Sequence, residues 1–187
     1  ELVGIPIVES IRKPGRRIIV RPHPCFFLPI YPIGKRIVAE IEMAFANDSN
    51  VVIEKSTMNE DSLHEADVMI SDWSGAAFEY SLGTERPVIF IDVPRKILNP
   101  FWEKLDIIPF EQRLRHQIGQ VVGVSEISTL NVVIAELRSS REKYRAIINE
   151  IRLEQIYNFG QSDDKAASVL IKLLGSQTSP RLEDHSV

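Results

Sequence analysis

The sequence contains very little cysteine, with Cys25 as the one thiol in 187 residues. A single thiol cannot form an internal disulfide, so the fold must rest on a hydrophobic core and suits a reducing compartment without requiring one. Long apolar runs are also lacking, since none approaches the ~20 residues of a membrane span. No secretory signal pattern is visible. We therefore expect a cytoplasmic protein, with peripheral contact to the inner face of the membrane as an open alternative.

Basic charge is not in excess, because 22 Lys and Arg face 26 Asp and Glu, for a net charge of −4. This balance argues against general nucleic-acid binding. The four histidines show no metal-ligand spacing with one another or with Cys25, so we expect no metal site. A length of 187 residues suits one domain. Because the chain begins at Glu1 without methionine, we expect a piece of a longer protein.

The stretch from Asp67 to Pro94 is typical of two parallel strands joined by a helix. Short apolar runs at Val68–Ile70 and Val88–Ile91 predict buried strands. A helix is predicted between them at Ser74–Leu82, with Gly83 as its left-handed cap. Parallel sheets built from such units bind ligands at the carboxyl ends of their strands. We expect the functional site at that edge.

The start of this predicted helix carries small side chains. Ser74 is a good N-cap. The residues after it leave their backbone N–H groups almost uncovered: Gly75, Ala76 and Ala77. Such amides, together with the positive end of the helix dipole, attract a phosphate, and Glu79 is placed to accept hydrogen bonds from ribose or sugar hydroxyls. The alternative is that Ser74 only caps a helix whose small residues pack on the sheet.

A first strand is predicted at Arg17–Arg21, and it ends in Arg21-Pro22-His23-Pro24 because the prolines fix the backbone. This order places Arg21 and His23 at the carboxyl end of the strand. A histidine there can donate to a phosphate oxygen or transfer a proton. The alternative is a histidine that is hydrogen-bonded within a local turn.

Other polar residues follow predicted strands at the same edge. Lys55 and Thr57 come after a second strand at Val51–Ile53, where they could touch a base or ribose. Arg95 and Lys96 come after the Val88–Ile91 strand, where two cations suit phosphate neutralisation. Charged loop residues are also commonly only solvated, and that reading stays open.

The remaining segments set the domain limits. We predict a linker at residues 1–16, an α/β domain at 17–175 and a disordered tail at 176–187. Further helices are predicted at Gly34–Asn47, over most of 125–152 with a break at Ser139-Ser140, and from Ser162 or Asp163 to Leu174. The apolar loop 25–33 is broken by prolines, and it could pack on the core, on a missing domain or on a membrane surface.

Three motifs in order carry a resemblance to one family: Arg21-Pro22-His23-Pro24; Asp67 with Ser71-Asp72-Trp73-Ser74 and Glu79; and Arg86-Pro87-Val88-Ile89-Phe90. Together they resemble the carboxyl-terminal domain of the CDP-glycerol glycerophosphotransferases, the teichoic-acid primase and polymerase family. The likeness covers roughly Arg17 to Leu174. Trp73 stands where that family has Tyr, and Gly75 where it has a second Ser.

The resemblance implies a Rossmann-like three-layer sandwich with a mainly parallel sheet, the C-terminal half of a GT-B-type two-domain enzyme. It implies that His23, the catalytic candidate, contacts the diphosphate of a CDP-glycerol donor. By position, Ser71, Asp72, Ser74 and Gly75 would form the phosphate end of the site, and Glu79 would meet the ribose. The strand-end and helix-start positions add Arg21 and Ala76 to the donor site, with Lys55, Thr57 and Arg95 as further candidates. A cofactor is not implied. The missing N-terminal domain would supply the base that activates a polymer or lipid-linked acceptor.

Two other functions stay open. The Ser74-Gly75 pair with a nearby Glu79 is also similar to nucleotide-sugar enzymes such as UDP-N-acetylglucosamine 2-epimerase, which would favour a UDP donor. A non-catalytic Rossmann-like module that binds a partner through the loop 25–33 is the other alternative.

Overall fold

The computed structural model describes residues 3–56, 60–95, 97 and 99–176. The chain forms two compact units, Glu1–Ile148 and Asn149–Val187. Thr57, Lys96 and the predicted tail from residue 177 onward lie outside the described residues. None of the helices in the described ranges is long and apolar enough to cross a membrane.

The larger unit is an α/β fold with two small parallel sheets. Strand β1 (Ile18–Val20) pairs with β2 (Val51–Ile53) in the first sheet. The second sheet has the order β3 (Met69–Ser71), β4 (Val88–Asp92) and β5 (Gly119–Gly123). Strands β1 to β4 each lie within one residue of the segments in which the sequence predicted them. This layout is compatible with a Rossmann-like arrangement.

Helices connect these strands and follow them. The described α-helices are α1 (Gly4–Ile11), α2 (Pro32–Ala44), α3 (Asp61–Glu65), α4 (Ala76–Thr84), α5 (Phe110–Leu114), α6 (Leu130–Ser139), α7 (Arg141–Gln155) and α8 (Ser162–Ser176). Short 3-10 helices lie at Pro24–Phe27, Trp102–Leu105 and Val124–Thr129. The predicted break at Ser139-Ser140 is confirmed, since Ser140 separates α6 from α7.

The segment predicted as a linker contains α1, and this helix contributes to the core. Val8 and Ile11 are buried, and the Ser10 hydroxyl donates to the Ile127 carbonyl at 2.7 Å. The prediction of a linker is wrong for these residues, although proline is common in linkers and Pro6 lies within the helix. Pro6 lies in the first turn of α1, where proline is tolerated because its missing N–H would have no helical acceptor.

The prediction for α4 was displaced by two residues. The helix runs from Ala76 to Thr84, so Gly83 is helical and does not form the left-handed cap. That conformation falls on Glu85, with φ of 56°. The Glu85 carboxylate accepts a 2.8 Å hydrogen bond from Arg145 Nε. We attribute the non-glycine cap to this tertiary contact, which sequence-local rules do not include.

One hydrophobic core includes residues from both sheets. Its fully buried or nearly buried members are Val8, Ile11, Ile18, Ile41, Phe45, Ile89, Ile91, Val122, Leu130, Val133, Ile134 and Leu137. Strand β4 is buried from Val88 to Ile91, as expected for the central strand of a covered parallel sheet. Side chains therefore pack across both sheets, although no ladder of hydrogen bonds joins the described strands of one sheet to those of the other.

The smaller unit is mainly helical. Its α8 begins at Ser162 as predicted, and the Ser162 hydroxyl donates to the Asn158 carbonyl at 3.0 Å. The Arg152 guanidinium lies 4.5 Å from the centre of the Phe159 ring. These contacts fix the turn between α7 and α8.

Candidate functional site

The loop between β3 and α4, residues 72–75, lies at the carboxyl end of β3, as predicted, and the half-buried Ser71 is the last residue of that strand. Its backbone is only partly open to a ligand. The Ala76 N–H donates to the Ser74 hydroxyl at 3.3 Å, and the Ala77 N–H donates to the Ser74 carbonyl at 3.2 Å. Two amides that the sequence predicted to be uncovered are therefore satisfied by Ser74, in line with the capping alternative. Gly75 is exposed, and the space beside its Cα is open.

His23 lies after β1 and is exposed. Its Nδ1 accepts a 3.2 Å hydrogen bond from the Cys25 N–H, which places the ring at the start of the 3-10 helix Pro24–Phe27. This contact matches the alternative stated for His23, in which the histidine is hydrogen-bonded within a local turn. Because Nδ1 acts as an acceptor, the neutral ring carries its proton on Nε2 and can donate from that atom.

Arg21 is engaged with neighbouring protein groups. Its Nε lies 3.2 Å from Glu54 Oε2, and its Nη1 donates to the Ser62 hydroxyl at 2.9 Å. The Ser62 hydroxyl in turn donates to Glu54 Oε2 at 2.5 Å. This network ties the ends of β1 and β2 to α3 and offsets the charge of Arg21. A primarily structural role fits Arg21 better than phosphate binding.

Three further predicted donor residues, Lys55, Asp72 and Glu79, are exposed. Lys55 Nζ lies 2.6 Å from Glu42 Oε1 in an exposed ion pair, which stabilises the fold little and leaves the lysine accessible. Asp72 and Glu79 are both exposed, the first in the β3–α4 loop and the second one turn into α4. Their side chains are therefore accessible to a ligand at this edge of the sheet.

A cluster of aromatic and charged side chains surrounds the β3–α4 loop. We call it the Trp73 cluster, and it consists of Trp73, Asp92, Arg95, Trp102 and Arg115. The Trp73 indole donates to the Val93 carbonyl at 2.9 Å, which fastens the loop to the end of β4. The Arg115 guanidinium lies 3.7 Å from the centre of the Trp73 ring system, and that of Arg95 lies 5.7 Å away. Arg95 also lies 4.9 Å from the centre of Trp102.

Arg115 is the most buried charge of this cluster, with 4% of its surface exposed. Its Nη1 donates to Asp92 Oδ1 at 3.1 Å. Within the described residues, Nε and Nη2 are buried and have no hydrogen-bond acceptor. Burying guanidinium nitrogens without acceptors is costly, and the aromatic faces of Trp73 and Phe90 compensate only in part.

Of the two arginines in the Trp73 cluster, Arg95 was predicted from the sequence as a site residue and Arg115 was not. Arg95 was expected at this edge, and the structure places it there. Arg115 follows α5, in a segment without a clear periodic pattern, so its burial results from tertiary packing. The signal that could have indicated it is Trp73 itself, because a large aromatic in a loop after a strand requires a packing partner.

The predicted residues thus divide between the two sheets. Arg21 and His23 follow β1, whereas the β3–α4 loop and Arg95 follow β3 and β4. The structure brings the loop and Arg95 together through Trp73. The His23 ring, by contrast, accepts its hydrogen bond from Cys25, a residue of its own turn.

Two surface cavities lie away from the carboxyl ends of β3 and β4. One, of about 160 Å³, adjoins their amino ends and is lined by Asp67, Pro87, Leu137, Arg138 and Arg141. The other, of about 210 Å³, lies over one face of β1 and β2 and is lined by Arg17, Ile19, Val52, Glu54, Asp61, Ser62 and Glu65. The second includes both partners of Arg21.

Searches for similar proteins returned no matching family model, curated protein or solved structure.

Proposed function

We propose that this chain is the donor-binding domain of a transferase that moves glycerol phosphate, or a related polyol phosphate, from CDP-glycerol to a polymer or lipid-linked acceptor. One observation carries the proposal. The β3–α4 loop, with its exposed Gly75, lies at the carboxyl edge of a parallel sheet beside two arginines that contact Trp73. Positive charge at this edge suits the phosphates of a nucleotide.

In the proposed reaction the chain acts by electrostatics. Negative charge accumulates on the nucleotide as it departs, and fixed positive groups lower the energy of that state. Arg95 would contact the diphosphate, and His23 would donate a hydrogen bond from Nε2. Glu79 would accept hydrogen bonds from the ribose hydroxyls.

In the complete enzyme, a second domain would face this one in a GT-B-type arrangement and would supply the base that activates the acceptor. This chain would bind the donor and would have no transferase activity by itself. We place the complete enzyme in the cytoplasm, in peripheral contact with the inner face of the membrane.

Calorimetric titration of the chain with CDP, CDP-glycerol and a UDP-sugar tests this proposal. We expect binding of the CDP compounds and weaker binding of the UDP-sugar, with cytidine as the control that lacks phosphate. Preference for the UDP-sugar would favour the nucleotide-sugar transferase or epimerase alternative. Absence of binding by all of these nucleotides at millimolar concentration would refute the donor-site proposal.

Two substitutions locate the site on the chain. His23→Ala and Glu79→Ala should each weaken CDP-glycerol binding by about tenfold, since each removes a hydrogen bond to a charged or polar ligand group. His64→Ala is the matched control, because His64 is also exposed and lies on α3. Equal affinities for all four proteins would remove His23 and Glu79 from the site.

A second function is favoured by a separate observation. The segment 25–33 is not the single loop that the sequence predicted, because it begins in the 3-10 helix Pro24–Phe27 and ends in the first turn of α2. It exposes three large apolar side chains, Leu28 at 44%, Ile30 at 82% and Tyr31 at 41%. Such a group is typical of a surface that binds a protein or membrane partner. Phe26 is less suitable as a probe of this surface than Ile30, because Phe26 stacks on Tyr31 and packs against Gly34. Ile30→Ser should abolish partner binding by an interaction module and leave nucleotide binding unchanged.

A further inference from the structure

We propose that Arg115 is an anion-binding residue of the donor site, and that the Asp92 carboxylate occupies the position of the phosphate until the donor binds. The inference rests on the proposed function and assigns a specific contact within it. The guanidinium of Arg115 is 4% exposed, and two of its buried nitrogens have no acceptor among the residues that the structure describes.

The charges around Arg115 do not balance. Two guanidinium groups, of Arg95 and Arg115, contact Trp73, and the one carboxylate of the cluster, that of Asp92, pairs with Arg115. Arg95 adds a hydrogen bond to Gln112 Oε1 at 3.1 Å, a neutral acceptor. The Trp73 cluster therefore carries an excess positive charge in a partly desolvated place, where such a charge attracts an anion strongly.

Asp92 is a suitable residue to be displaced. Its side chain is 55% exposed, and it meets Arg115 through a single N–O contact of 3.1 Å. A buried guanidinium is normally paired through both parallel N–H groups, as in a bidentate arginine–carboxylate pair. A diphosphate offers more oxygens than Asp92 contributes, so exchange of the carboxylate for the phosphate would satisfy nitrogens that now lack acceptors.

The position of Asp92 agrees with this exchange. Asp92 is the last residue of β4 and lies at the carboxyl edge of the sheet. Trp73 connects it to the β3–α4 loop, since the indole donates to the carbonyl of Val93, next to Asp92. A phosphate at Asp92 would thus lie beside the loop where the proposed donor binds.

The experiment measures binding of inorganic pyrophosphate and of CDP by the fluorescence of the tryptophans. Both tryptophans of the chain, Trp73 and Trp102, contact Arg95, so the signal originates within the cluster. Arg115→Met should lower affinity for both ligands by about tenfold, because it removes a charge-assisted contact. Arg115→Lys keeps the charge and should lower it less. Arg36→Met is the control, since Arg36 lies on α2 and pairs with Glu40 in an exposed ion pair.

Asp92→Asn should change the anion affinity in the direction opposite to Arg115→Met, and it does not remove a buried residue. It should raise pyrophosphate affinity by about threefold or more, because the competing carboxylate is lost. Glu111→Gln, an exposed carboxylate on α5, controls for the change in net charge. The Asp92→Asn gain should disappear in an Arg115→Met background if both residues act on the same phosphate.

The outcomes separate this inference from the proposed function. If the unmodified chain binds CDP but Asp92→Asn binds pyrophosphate no more tightly than Glu111→Gln does, the exchange is refuted and the function stands. Equal losses in Arg115→Lys and Arg115→Met would assign Arg115 a structural role and also refute it. If pyrophosphate binds with the predicted variant pattern but no nucleotide binds, the anion site stands and the nucleotide donor is wrong. If Arg115→Met does not fold, as judged by circular dichroism, the Asp92→Asn and Arg115→Lys results decide.

Discussion

Replacement of Gly119 by alanine tests how closely β5 approaches β4. A Cβ added at Gly119 would lie 1.8 Å from the Val88 carbonyl oxygen and 2.7 Å from its carbonyl carbon. Both obstacles are backbone, so one strand must move by roughly 1 Å, a shift typical of costly overpacking. The Val88 N–H donates to the Ile118 carbonyl at 3.1 Å and would be displaced with it.

The overpacking and the weakened hydrogen bonds together set the expected loss in the free energy of unfolding. Overpacking costs about 1–3 kcal/mol, and each weakened hydrogen bond adds about 1 kcal/mol. Gly119→Ala should therefore reduce the free energy of unfolding by about 3 kcal/mol. For a domain of this size that loss lowers Tm by about 6–12 °C.

Gly83→Ala is the matched control, because the same change should have the opposite sign there. Gly83 lies within α4, is exposed, and has open space where a Cβ would be added. Alanine should stabilise the helix by about 0.5–1 kcal/mol. Urea unfolding followed by tryptophan fluorescence measures both variants in the larger unit, which contains Trp73 and Trp102. A Gly119→Ala protein whose free energy of unfolding lies within about 1 kcal/mol of the parent's, the value of one hydrogen bond, would refute the close approach.

Two further predictions concern the core and the pH dependence of stability. Ile11→Ala should cost about 2–4 kcal/mol in the same urea assay, because Ile11 is 7% exposed in the shared core, whereas a linker residue would tolerate the change. Burial raises the pKa of Tyr80 to about 12, and its hydroxyl donates to the Ala66 carbonyl at 2.8 Å. The pKa of Tyr80 in the folded state exceeds the unfolded value near 10. Its contribution to the free energy of unfolding is therefore complete below pH ~10 and is lost as the pH rises toward 12. Tyr80→Phe should be less stable at neutral pH and should lose less stability over that alkaline range; an unchanged pH profile would contradict this reasoning.

Local pattern was sufficient to predict where the strands lie. The runs at Val51–Ile53 and Val88–Ile91 are short, β-branched and bounded by polar or turn residues, so pattern and packing agree. The break between α6 and α7 at Ser139-Ser140 was predictable for the same reason. In each case the information is contained in a few neighbouring residues.

The errors arose where a distant residue determines the local structure. Glu85 takes the left-handed conformation in place of Gly83, and Arg145 binds its carboxylate from 60 residues away. Residues of α1 pack on a core built largely from later segments. Arg115 is buried under Trp73, which comes from a different connection. Such contacts leave little trace in the sequence near either partner.

The separation of the five strands into two hydrogen-bonded sets has a mechanical consequence. His23 follows one set and the β3–α4 loop follows the other. The described strands of the two sets share side-chain packing but no ladder of hydrogen bonds. Packed side chains permit small sliding movements that a continuous ladder would resist. A donor molecule that contacted His23 and Gly75 at once would bridge the two sheets. It would fix the distance between them, which the backbone hydrogen bonds alone do not set.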